Sequence, residues 1–158
     1  MAVLRRVFVT GAGGSGKTLL SRRFGLPVYE MDRGETPADL DGDWVVDGIF
    51  VWDIEQYLAR ADLIVWLDLP MRVTIPRILR RHVVLSVRRK NPHKGLKLLA
   101  QFVRNQPAYF RSPAKEPTGP MDWDAVTRAS TEQALAPHMD RVVHITTARE
   151  ARAFSRSL

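Results

Sequence analysis

The eight residues Gly11-Ala12-Gly13-Gly14-Ser15-Gly16-Lys17-Thr18 carry the clearest chemistry in the chain. They satisfy the spacing G-x-x-x-x-G-K-[ST], with a β-rich run before them and helical spacing after. Glycine reaches positive φ and puts no Cβ between backbone and ligand, so consecutive N–H groups can turn inward on phosphate oxygens. The helix that follows adds unpaired N–H groups and the positive end of its dipole. Lys17 can reach β- and γ-phosphates, and the Thr18 hydroxyl can ligate Mg²⁺. The expectation is a site for ATP or a close relative built from Gly11, Gly13, Gly14, Ser15, Gly16, Lys17 and Thr18. The bland alternative is a glycine-rich turn with a solvated Lys17.

Such a loop needs a strand to deliver it and a helix to receive it. Leu4–Thr10 reads as a buried strand, and Lys17–Phe24 as a helix with Leu19, Leu20 and Phe24 on one side, stopped by Gly25. Pro27–Met31 reads as a second strand ending at Asp32, followed by a loop or one short helix to Asp43. Trp44–Val46 makes a third strand ending at Asp47-Gly48; a short helix spans Ile54–Ala61. Leu63–Leu67 is a continuous apolar strand ending at Asp68-Leu69-Pro70.

A long basic helical region comes next, with Pro76 near its start and a break over Pro92–Gly95. Leu96–Val103 is helical again, and Ser112–Gly119 is a Pro-rich loop. A weak helix over Ser130–Ala136, a strand over Arg141–Thr146 and a helix over Ala148–Ser155 complete the order. Short apolar strands alternating with helices predict a mostly five-stranded parallel sheet covered on both faces. Ligands of such sheets bind at the carboxyl ends of the strands, so Asp32, Asp47 and Asp68 are expected to converge there with the glycine loop.

Composition limits the possibilities. A chain of 158 residues with 45% hydrophobic and 26% charged residues suits one globular domain, residues 1–158. The absence of cysteine excludes disulfides, thiolate zinc sites and cysteine nucleophiles. Met1–Arg6 lacks the pattern of a signal peptide, and no window approaches a membrane span, so a soluble cytoplasmic protein is expected. Net charge is +7, yet residues 72–111 hold eleven Lys or Arg and no Asp or Glu, which leaves the rest of the chain acidic on balance. That segment therefore implies a polyanion nearby, the alternative being a solvated basic face. His82, His93, His138 and His144 lack metal-ligand spacing, and Trp44, Trp52, Trp66 and Trp123 read as core or rim residues.

Beyond the loop, Val46-Asp47-Gly48 resembles the Asp-Gly of nucleoside monophosphate kinases. Leu67-Asp68-Leu69-Pro70 with Arg77-Ile78-Leu79-Arg80-Arg81 resembles the strand, Pro and spaced arginines of adenylate kinases. The block from Trp44 to Arg81, with Leu58-Ala59-Arg60-Ala61-Asp62 inside it, is similar to the topology-modulation proteins, a bacterial adenylate-kinase-like branch of P-loop proteins. So is the end, where Val142-Val143-His144 precedes Thr147–Phe154.

The resemblance implies a three-layer P-loop NTPase fold of the nucleoside-monophosphate-kinase type. It implies ATP and Mg²⁺ as cofactors, with Thr18 and Asp47 at the metal. Arg77 would lie against adenine and Arg81 would meet the phosphates, within a lid around 72–111. Asp32 would orient an acceptor hydroxyl, as in shikimate-kinase-like enzymes. For Asp47 a backbone-bonded carboxylate, and for Asp32 a turn-former before Arg33-Gly34, remain open. Two departures lie on the acceptor side: only Arg33–Asp43 follows Asp32, and Ile49-Phe50 stands where the family carries Asn-Tyr.

Three functions compete on these grounds. The first is a kinase moving the γ-phosphate of ATP to a nucleotide or other small hydroxyl or phosphate acceptor, with Lys17, Asp32, Asp47, Arg77 and Arg81 in the chemistry. The second is a nucleotide-dependent regulatory or DNA-topology-associated protein with weak ATPase activity. The third uses residues 72–111 to track nucleic-acid phosphates, and no nucleic-acid motif supports it. Acceptor and oligomeric state stay open.

Overall fold

Five parallel strands form one sheet in the order β2-β3-β1-β4-β5. They are β1 (Arg6–Gly11), β2 (Val28–Glu30), β3 (Trp44–Asp47), β4 (Leu63–Leu67) and β5 (Val142–Ile145). The computed structural model describes residues 4–49, 52–88, 95–120 and 122–158. Of the residues singled out above, Phe50, Arg89, Lys90, Pro92, His93 and Lys94 lie outside the described residues.

Alternation along the strands decides the layers. Phe8, Trp44, Val46, Ile64 and Trp66 face one side and pack with Tyr57, Leu58 and Leu135. Val7, Val9, Val45, Val65 and Leu67 face the other, where Leu20, Phe24, Ala151 and Phe154 cover them. Successive strand residues point to opposite faces, so an uninterrupted apolar strand requires helices on both. On the first face these are α2 (Glu55–Leu58) and α5 (Arg128–Leu135); on the second, α1 (Lys17–Ser21) and α6 (Ala148–Ser157). The result is the expected three-layer α/β fold.

Helices α5 and α6 start where their sequences provide caps. Thr127 accepts from the Ser130 amide ahead of α5, and Thr147 with Glu150 forms a capping box ahead of α6. Two long helices, α3 (Met71–Val87) and α4 (Leu96–Arg111), pack on one another and carry the basic segment. Among the described residues no helix is long and apolar enough to cross a membrane.

Three local readings need correction. Helix α1 ends at Ser21, and Arg22–Phe24 tightens into a 3₁₀ turn before Gly25 at φ 69°. Leu19 does not join Leu20 and Phe24 but is 73% exposed, because adjacent helical residues are turned about 100° apart, which carries Leu19 off the face that the four-residue spacing gives Leu20 and Phe24. Helix α4 runs on through Pro107 to Arg111 rather than stopping at Val103. Proline forfeits one intrahelical bond there, and burial of Gln106 and Tyr109 on either side holds the helix together.

Candidate functional site

The glycine loop leaves β1 between two parallel neighbours. A Cβ on Gly11 (φ 146°) would come within 2.4 Å of Leu67 O on β4, so only glycine lets the chain turn there. Gly14 is in the left-handed region at φ 77°, and a Cβ on it would lie 2.7 Å from both Thr74 O and Ile78 Cγ1 of α3. Gly16 takes φ 102° at the start of α1. Gly13 lies under α4, where a Cβ would meet Phe102 Cζ at 2.7 Å.

The polar groups of the loop are buried and directed. Lys17 is only 8% exposed, and its Nζ donates to Gly11 O at 2.9 Å and to Ala12 O at 3.4 Å. The ammonium thus lies against the loop's own carbonyls, and among the described residues no carboxylate is within salt-bridge distance of it. The Ser15 hydroxyl is buried with no hydrogen-bond partner. A buried hydroxyl without a partner costs free energy unless a ligand or water satisfies it. Arg77 of α3 donates from Nη1 to Ser15 O at 3.0 Å.

At the C-terminal end of β3, Asp47 is 3% exposed and accepts from Thr18 Oγ1 at 2.8 Å. Burial pushes its carboxyl up to about 6; Lys17 and Thr18 pull it down, and the negative charges of Asp32 and Glu30 push the same way as burial. A buried carboxylate touching a loop threonine and lying near a buried ammonium is the arrangement a divalent cation would stabilise.

Glu30 itself pairs with Arg33 at 3.2 Å and Arg22 at 3.6 Å. Asp32 sits exposed in the 3₁₀ turn Met31–Arg33 that ends β2, close enough to act on Asp47 through space. Gly11, Gly13, Gly14, Ser15, Gly16, Lys17, Thr18, Asp47 and Arg77 are therefore brought together, with Asp32 at their margin. Arg80 and Arg81 are exposed on α3.

Asp68, the third strand-end carboxylate, takes another role. Arg128 donates to it from Nε and Nη2 at 2.7–3.0 Å, and His144 Nε2 lies 2.9 Å away. His144 stacks on Trp66 at 4.1 Å, with the Arg128 guanidinium 5.4 Å from the same ring. These contacts tie α5 to β4 and β5 and leave Asp68 without a free face toward the loop. Two residues over the loop escaped sequence reading: Phe102, and Gln106 with a buried Oε1 that has no partner. A signal existed, since positions 102, 106 and 109 form one helical stripe containing a polar residue.

No family model matches the sequence, and no curated protein matches it. Among solved structures it is similar to a shikimate kinase from Acinetobacter baumannii in complex with shikimate. That similarity has 14% identity and a TM-score of 0.42, and it covers 87% of this chain and 95% of the other.

Proposed function

We propose that the protein is an ATP-dependent kinase of a small hydroxyl-bearing compound, a single-domain relative of the topology-modulation and adenylate-kinase-like P-loop proteins. The observation that supports it best is the contact of Thr18 Oγ1 with Asp47 Oδ2 at 2.8 Å, beside a buried Lys17 bonded only to loop carbonyls. The residues fit the nucleotide and its metal. At Gly16 the nearest group to a Cβ would be Arg77 Nη1 at 3.8 Å, while Gly13 and Gly14 lie under Phe102 and against Thr74 and Ile78, and Ser15 Oγ is buried without a partner among the described residues. Thr18 and Asp47 would hold Mg²⁺, directly or through water. Mg²⁺, when bound, neutralises charge on the β- and γ-phosphate oxygens.

The chain's own groups have separable tasks. Loop amides and Lys17 hold the phosphates, and moving Nζ from Gly11 O to a phosphate oxygen exchanges a neutral acceptor for a charged one. Arg77, anchored on Ser15 O, places a guanidinium at the edge of the loop and stabilises charge as the phosphoryl group moves. Helices α3 and α4 act as the lid that excludes water, with Arg81 reaching the phosphates only in a more closed form. The acceptor oxygen forms the new O–P bond as the β,γ-bridge breaks; ADP departs with the bridging electron pair, and Asp32 receives the hydroxyl proton.

Calorimetric titration with MgATP, for the wild type and Lys17→Ala, tests this reading. Wild type is expected to bind in the micromolar range, and Lys17→Ala to weaken binding by about a hundredfold, roughly 2.7 kcal/mol. Absence of binding to the wild type would overturn it. Binding with hydrolysis that no acceptor accelerates would favour the nucleotide-dependent regulator instead.

A further inference from the structure

Met31 touches the phosphate site and also lines a second concavity. It packs in the cluster that contains Ala12 of the loop, and a Cβ on Gly48 would lie 3.1 Å from Met31 Cβ. Its chain neighbour is Asp32, and Gly48 is the neighbour of Asp47. The concavity, of about 450 Å³, has Pro37, Leu40, Trp52 and Tyr57 among its walls. That is room for a small organic molecule, with Met31 of its lining one residue along the chain from Asp32.

The charge of its lining is one-sided. Asp53 is the charged residue of that lining, and no lysine or arginine contributes to it. Asp53 is held in the left-handed region at φ 55°, and Gln56 Nε2 donates to its carbonyl at 3.1 Å. Its carboxylate is exposed, and none of the ion pairs among the described residues involves it. Aspartate is among the few non-glycine residues that tolerate this backbone. The charge of Asp53 acts on the neighbouring Tyr57 hydroxyl, adding to burial in raising its pKa.

Among the described residues, the cations near this segment are already paired. Residues 30–55 hold nine Asp or Glu and one basic residue, Arg33. Arg33 is tied to Glu30 at 3.2 Å, and Arg60 to Asp41 at 3.4 Å. A phosphorylated acceptor would bring a second negative charge to a wall that is already negative. A like charge brought close to that wall is repelled and an unlike one attracted.

We propose that this concavity takes the acceptor and that the acceptor is a small hydroxylated amine. Its ammonium pairs with Asp53, its apolar body lies on Met31, Leu40 and Trp52, and its hydroxyl points toward Asp32. This rests on the kinase reading for its chemistry, but the binding preference is a property of the concavity alone.

The test uses matched probes on one skeleton: glucosamine, glucose and glucose 6-phosphate, with aromatic amino alcohols and their deaminated and phosphorylated counterparts as a second set. Each is titrated calorimetrically into the protein with and without a non-hydrolysable ATP analogue and Mg²⁺. At least one amine should bind tenfold or more tightly than its neutral counterpart, with the phosphorylated member weakest. Asp53→Asn keeps a residue that accepts φ 55° and removes only the charge, so it should erase the preference while leaving affinity for the analogue unchanged. Asp41→Asn, outside the concavity, should leave the preference intact.

Phosphorylated probes binding best, no amine outbinding its neutral counterpart, or Asp53→Asn leaving the preference intact would each overturn the proposal. Failure of the analogue to bind would instead strike the kinase reading, and is seen in a separate titration.

Discussion

The two sides of the phosphate loop are built from opposite charges. Residues 30–55, from the end of β2 to the start of α2, hold nine acidic side chains and one basic. Residues 72–111, which include most of α3 and all of α4, hold eleven basic and no acidic ones. The net charge of +7 conceals this separation. The basic hairpin suits the nucleotide phosphates, while the acidic arm suits a metal ion and, in our proposal, a cationic acceptor. Opposed fields of this kind orient two ligands before either makes a hydrogen bond.

The comparison can be broken most severely where the hairpin touches the loop. Gly14→Val puts a β-branched side chain at φ 77° and within 2.7 Å of Thr74 O, a backbone atom that cannot swing aside. It should cost about 3 kcal/mol or more of stability and abolish ATP binding, measured by thermal melting and calorimetry. Retained binding would mean that α3 is not seated on the loop.

On the acidic side, Asp47→Asn should weaken MgATP binding by about a hundredfold while ATP without Mg²⁺ loses little. The unliganded variant should not melt earlier than wild type, because burial is what raises the Asp47 carboxyl to about 6 and the substitution removes that buried charge. Equal losses with and without Mg²⁺ would remove Asp47 from the metal. On the basic side, Arg77→Ala should lower turnover by about tenfold to a hundredfold, and Arg81→Ala by less. Arg77 is already bonded to Ser15 O, whereas Arg81 is exposed. The reverse order in steady-state kinetics would mean that the lid turns a different face to the loop.

A residue outside both regions sets the floor. Asp62 accepts from the amides of Arg5 and Arg6 at 3.0 and 2.9 Å and from Arg6 Nη2 at 3.1 Å, buckling the start of β1. Burial opposes its ionisation, but these donors together hold its pKa below the usual carboxylate value. A depressed carboxylate stabilises the fold above its unfolded pKa and loses that contribution as pH falls through the folded one. Asp62→Ala should therefore cost about 1 kcal/mol at pH 7 with nucleotide binding unchanged, and the difference should shrink below about pH 4. A pH-independent difference would mean that packing, not the carboxylate, fastens the strand.

How much of this was legible follows from how local each feature is. The order of strand, glycine loop and helix was legible, because spacing, glycine content and flanking elements are all contained in about fifteen consecutive residues. The five strands were legible as short β-rich runs alternating with helical spacing, and β4, an unbroken apolar run, carries the bounds expected for it, Leu63–Leu67. The end of α4 was not, since Pro107 argues locally for a stop and only the burial of Gln106 and Tyr109 keeps the helix going. The fate of Asp68 was equally hidden. It ends a strand just as Asp32 and Asp47 do, but Arg128, 60 residues later, claims it.

The amino-acid sequence by itself determined the phosphate loop, the parallel α/β class and the separation of acidic and basic segments. Backbone conformational preference, strand burial on two faces and charge order are all properties of neighbouring residues. Only the tertiary structure decided which strand-end carboxylate meets Thr18, which arginine reaches the loop, and that Phe102 and Gln106 lie over Gly13. Those outcomes depend on how helices distant in sequence pack against the sheet, and side chains compete for partners only once that packing has brought them within hydrogen-bond reach.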